Sequence, residues 1–105
     1  MKTFILLLIS FSCLAQDVEI YQDGYLLDKV QSTSFDLNEK KVSLTTKDYT
    51  LELFLIKKES KSKWICSDKN GAKYIITAKV IAGNTVVIFE PESKGLYKFI
   101  LYIEQ

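Results

Sequence analysis

The sequence predicts an all-β chain: an antiparallel meander of about eight short strands forming a small sandwich or barrel behind an N-terminal signal peptide. Three observations predict it. Residues 63–104 hold strand-like runs rich in Val, Ile, Tyr and Phe, divided by Asn70-Gly71, Gly83-Asn84 and Pro91-Glu92-Ser93-Lys94-Gly95. Apolar residues alternate with period two in the runs upstream of that stretch. Turn residues recur about every ten positions, a spacing that suits strands better than helices.

Residues 1–15 read as a secretory signal peptide. Lys2 supplies a short positive start, residues 4–11 are an apolar run, and Ser12-Cys13-Leu14-Ala15 is a small-residue cleavage site. The apolar run is far shorter than the ~20 residues of a membrane span. Cleavage after Ala15 leaves a single domain, residues 16–105, beginning at Gln16. The pattern resembles a bacterial export signal. Cys13 opens a second reading as an acylated lipoprotein cysteine, which the bulky Phe11 and the lack of Leu at the usual place disfavour.

Residues 17–21 alternate, Val18 and Ile20 against Asp17 and Glu19, and run into Asp23-Gly24: a strand and a turn. Residues 25–30 fit either a helical turn or an extended segment, and the strand content around them favours the second. Phe35 and Leu37, then Asn38-Glu39-Lys40, then Val42 and Leu44 read as a hairpin. Residues 49–57 place Tyr49, Leu51, Leu53 and Leu55 on one face and Thr50, Glu52, Phe54 and Ile56 on the other, as a barrel wall or central strand would. Residues 57–62 are a polar connection.

In the last stretch, a three-residue loop with Gly71 left-handed sets Trp64 opposite Ile76 and Cys66 opposite Tyr74, all inward. The strict two-residue alternative would bury Ile65 and expose Trp64, a worse exchange of apolar area. A Gly83-Asn84 turn pairs Ala82 with Thr85, and a five-residue loop pairs Glu90 with Leu96. One face then collects Ile76, Ala78, Val80, Val87, Phe89, Tyr97, Phe99, Leu101 and Ile103. The other face is mixed, with Thr77, Lys79 and Lys98 beside Ile81, Val86, Ile88, Leu96, Ile100 and Tyr102. Either the N-terminal half covers it, as in a sandwich, or it is an apolar patch for a partner.

Composition excludes several function classes. Histidine is absent, which removes Ser-His-Asp and Cys-His nucleophiles and histidine metal sites. Beyond residue 15 the only cysteine is Cys66, so no multi-cysteine zinc site exists, and Cys66 reads as a small buried hydrophobe rather than an intermolecular disulfide. All 14 basic residues are Lys, and without Lys2 they balance the 13 acids, so nucleic acid is not an expected partner. No phosphate-binding glycine loop or G-x-S-x-G is present. Asp68, Glu90 and Glu92 are the nearest approach to a carboxylate pair, and acids at turns are usually just solvated. Asp68-Lys69-Asn70-Gly71 lacks the further oxygen ligands of a calcium loop.

The expectation is therefore a secreted or periplasmic, non-enzymatic interaction module without metal or cofactor, meeting a protein or cell-envelope partner through Val86, Ile88, Ile100 and Tyr102. The alternative is a carrier of a small apolar ligand, with a cavity between sheets. No transmembrane segment is expected after cleavage.

Overall fold

A computed structural model of the chain describes residues 16–37 and 40–103; the expected signal peptide and the Asn38-Glu39 part of the second turn lie outside these. Eight strands follow one another: β1 (Asp17–Gln22), β2 (Tyr25–Leu37), β3 (Lys41–Thr46), β4 (Thr50–Ser60), β5 (Lys63–Ser67), β6 (Lys73–Ile81), β7 (Asn84–Pro91) and β8 (Tyr97–Ile103). Each pairs antiparallel with the next, and β8 returns to pair with β1 through contacts from Asp17↔Tyr102 to Gln22↔Tyr97. The result is a closed up-and-down barrel, not a sandwich. The N-terminal half does not lie over the mixed face; it joins the C-terminal hairpins edge to edge.

Every strand feeds the interior at alternate positions: Val18 and Ile20, Phe35 and Leu37, Val42 and Leu44, Leu51 and Leu53, Trp64 and Cys66, Tyr74, Ile76 and Ala78, Val87 and Phe89, and Phe99, Leu101 and Ile103. Eight strands enclose a space just wide enough for side chains to fill. Phe35 and Phe89, both fully buried, meet edge to face with ring centroids 6.2 Å apart. They belong to β2 and β7, which are separated in the barrel by β1 and β8, so their rings meet across the interior.

Closure needs curvature, and the register shifts supply it. They fall at Ile20/Tyr21 against Leu26, at Ser32/Ser34, and twice along β4, at Leu55/Lys57 and Lys58/Ser60. These irregularities let β2 run unbroken through the Gln31–Ser34 segment. They also carry β4 to Ser60, leaving Lys61-Ser62 where a six-residue polar connection was expected.

Trp64 pairs with Ile76 and Cys66 with Tyr74, as burial of the indole demanded, with Gly71 at φ 90°. The next hairpin turns one residue earlier than expected. Ile81 pairs with Asn84, and the two loop residues are Ala82 and Gly83, both with positive φ (53° and 83°). Val80 therefore faces Thr85 rather than Val87, and Phe89 faces Phe99 rather than Tyr97. Each pairing slides by two positions, which preserves which side chains point inward. The slide carries Val80 (62 % exposed) and Tyr97 (39 %) to opposite ends of the barrel, out of the core expected for them.

Candidate functional site

The four residues expected to meet a partner form one compact group on the outer wall. Val86 sits across from Tyr102 and Ile88 across from Ile100, and β1 flanks them through Tyr102↔Asp17 and Ile100↔Glu19. Ile88, Ile100 and Tyr102 are half-buried, whereas Val86, at 4 % exposure, offers a partner almost no surface.

Polar chemistry on this wall centres on Glu19. Its Oε1 accepts from Tyr102 Oη and from Tyr21 Oη, each at 2.9 Å. Burial, then the bond to Glu19, pushes the Tyr102 phenol up to about 12, and the same carboxylate raises that of Tyr21. Both phenols are thus donors held neutral, suited to fixing a surface and not to proton transfer near neutrality. Open grooves lie on either side: one of about 570 Å³ lined by Asp17, Glu19, Lys29, Gln31 and Tyr102, and one of about 480 Å³ lined by Tyr21, Leu96, Lys98 and Ile100 among others.

The second groove leads to one end of the barrel, where the β1–β2, β3–β4, β5–β6 and β7–β8 connections gather. The Asp23-Gly24 turn is tied to the last of these: Gln22 Nε2 donates to the Gly95 carbonyl at 2.7 Å, and Gly95 N donates to Asp23 Oδ1 at 3.1 Å. Tyr49, Tyr97 and Phe99 form a three-ring cluster with centroids 5.7 to 6.4 Å apart, each pair edge to face. Burial, then Asp28, raises the Tyr49 phenol. At the same end, on the far side of Gln22 from Tyr97, Tyr25 is 76 % exposed, and Leu26 and Leu27 are about half exposed. A groove of about 360 Å³ opens here, lined by Leu51, Tyr74, Leu96 and Tyr97 together with Thr50, Glu52, Asp68 and Asn70.

The sequence places Tyr97 in the core and gives residues 25–30 only an extended backbone, so this mouth is not legible from it. The available signal was a Tyr-Leu-Leu run directly after Asp23-Gly24, since three apolar residues beside a tight turn cannot all point inward from a strand.

Of the acidic candidates, Asp68 and Glu90 are engaged locally. Asp68 Oδ1 accepts from Asn70 N and Ala72 N, both at 2.9 Å, which makes it the organiser of its own turn. Glu90 Oε1 is engaged by Lys98 Nζ at 3.2 Å, and Glu92 is exposed. Among the described residues no cluster of three or more acidic or cysteine side chains is placed to hold a metal ion. Cys66 is fully buried, and burial pushes its thiol up to about 11, so it packs as an apolar side chain. Among the described residues no helix is long and apolar enough to cross a membrane.

The fold and its surface define a class, a small closed antiparallel barrel with a packed interior and an aromatic mouth. Comparison of the chain with protein-family models, with curated proteins and with solved structures finds no match in any of the three.

Proposed function

We propose that this is an exported, non-catalytic interaction module that binds a protein partner with the mouth of the barrel and the wall beside it. The observation that carries the reading is the contrast between a lumen closed by Phe35 against Phe89 and a mouth that leaves Tyr25, Leu26, Leu27 and Tyr97 in solvent. Large apolar and aromatic side chains gathered beside polar groups are the composition of an interface core and rim. Ile88, Ile100 and Tyr102 extend that surface along the wall through the groove lined by Leu96 and Ile100. Because all eight strands are paired around the barrel, binding uses a face or an end, not strand addition at a sheet edge.

The test is capture by the immobilised mature protein from the envelope and secreted fractions of its host. Leu26→Lys and Ile100→Lys are expected to keep the wild-type melting temperature and lose the captured partner. Val80→Lys, at the opposite end, is expected to keep it. Equal capture by all three variants, or no partner retained by wild type, would sink the reading.

A carrier of a small apolar ligand is the second reading. Its specific support is the 360 Å³ groove at the mouth, within the usual size range of small-molecule sites. There the ligand would rest on Leu51, Tyr74 and Tyr97 instead of entering the packed lumen. A rise in melting temperature with a lipid or other apolar compound, abolished by Tyr97→Ala, would favour it over the protein partner.

A further inference from the structure

The end of the barrel away from the mouth carries a different surface. There the β4–β5 and β6–β7 connections are neighbours, since β5 pairs with β6 as far as Lys63↔Thr77 and Ala78 N donates to the Ser62 carbonyl at 2.9 Å. Among the described residues β5 accompanies β6 no further, so residues 79–81 run on past the end of β5 to the Ala82-Gly83 turn. Val80 keeps the inward parity of Ile76 and Ala78 but has left the interior, at 62 % exposure, and Ile81 next to it is 51 % exposed. The tip of this hairpin is therefore aliphatic and in solvent.

Charge around the tip is one-sided. Residues 57–63 and 79–84 hold five lysines and one acid, Glu59. Glu59 engages Lys57 at 3.2 Å, and among the described residues Lys58, Lys61, Lys63 and Lys79 are exposed with no acid paired to them. The connections at the mouth instead set Asp23, Asp48, Asp68 and Glu92 against Lys47, Lys69 and Lys94. A chain whose charges balance beyond residue 15 is thus polarised from one end of the barrel to the other.

We infer that this end docks on an anionic lipid surface, with the Val80-Ile81 tip entering the headgroup layer and the unpaired lysines resting on lipid phosphates. Each lysine held close to such a surface strengthens partitioning by about fivefold. The attraction reaches only about 8 Å at physiological salt, so it acts through lysines gathered on one end and not through net charge. A hairpin tip is too narrow for the roughly 800 Å² that a stable protein interface takes from each partner, whereas a fluid headgroup layer closes around it. A single-stranded nucleic acid would need aromatic platforms, and the exposed Tyr25 and Tyr97 lie at the mouth. Docked this way, the protein turns its mouth away from the bilayer, so lipid binding here and partner binding there succeed or fail independently.

Co-sedimentation of the protein, purified from its host, with lipid vesicles tests this. The vesicles are phosphatidylcholine alone, or phosphatidylcholine with phosphatidylglycerol as about a third of the lipid. Binding is expected to the anionic vesicles only, and to vanish in about 1 M salt, where the screening length falls to about 3 Å. Lys58→Gln combined with Lys61→Gln should weaken partitioning by about 25-fold. Lys47→Gln combined with Lys73→Gln removes the same charge at the mouth end and should change it by less than about twofold. Ile81→Ser should weaken binding several-fold and leave its salt dependence unchanged. All five side chains are exposed, so these variants are expected to melt with wild type. Equal losses from the two lysine pairs, equal binding to neutral vesicles, or no vesicle binding would each overturn the inference. Wild-type binding by Ile81→Ser would overturn insertion of the tip, and retention on heparin without vesicle binding would replace the lipid by an acidic polymer.

Discussion

Phe35 and Phe89 offer the sharpest test of whether the barrel is a packed body or a container. Both rings are essentially inaccessible and meet edge to face from strands that are not neighbours in the barrel. Phe89→Ala removes a fully enclosed ring and should cost about 3–5 kcal/mol, transfer and cavity terms together. Against a total stability of roughly 5–15 kcal/mol for a domain, that variant approaches unfolding, so the quantitative test uses leucine. Phe35→Leu, Phe89→Leu and the double variant form a cycle. The edge-to-face term is lost in each single variant but only once in the double, so the double should cost about 0.5–1.5 kcal/mol less than the two single losses added together. With a urea slope of about 1 kcal/mol/M for a chain this small, the double variant's midpoint should lie about 1 M above the additive value. Urea unfolding followed by the fluorescence of the buried Trp64 reads all four proteins, with unchanged slopes as the check on two-state behaviour. Additivity within about 0.3 kcal/mol, together with a Phe89→Ala cost below about 1 kcal/mol, would refute a filled lumen and favour the carrier reading.

Two further outcomes follow from individual residues. The Tyr102 phenol, raised to about 12 in the fold by burial and by Glu19, ionises near its ordinary value of 10 once unfolded. Between those values the folded state holds the proton more tightly, so its contribution is complete below pH 10 and lost as pH rises toward 12. Alkaline melting curves should fall across that window, and Tyr102→Phe should flatten the fall; an unchanged slope would mean that the fold does not hold this phenol above its ordinary value. Ala82 sits at φ 53° in a two-residue turn that favours Asn-Gly, so Ala82→Asn should stabilise by about 1 kcal/mol. That corresponds to a melting temperature roughly 4–8 °C higher, and a loss instead would place the turn elsewhere.

Local patterns were legible wherever one face of a strand is fully buried. The inward set of β6 to β8 came through although both hairpin pairings were placed two positions off, because a two-residue slide does not exchange faces. Gly83-Asn84 misled by one residue, since alanine rarely takes the left-handed conformation that Ala82 adopts. The mouth was harder to read. Tyr97 belongs to the inward parity, and only its place at the strand end, over Tyr49 and beside the Gly95 loop, leaves it in solvent. The wall group of Val86, Ile88, Ile100 and Tyr102 was recognisable as outward and contiguous. That Val86 contributes little surface depends on its neighbours in space, which alternation does not report.

By itself the sequence determined the strand content, the inward alternation, the Trp64 register and the absence of histidine chemistry, because these depend on side-chain type and on spacing along one strand. Only the tertiary structure decided between sandwich and barrel. That choice rests on β1 meeting β8 across more than 80 residues of chain, from Asp17 to Tyr102, and no local preference encodes so distant a pairing. Closure in turn decided that the interior is filled, that no strand edge stands open around the barrel, and that Tyr25 and Tyr97 are left in solvent at the same end.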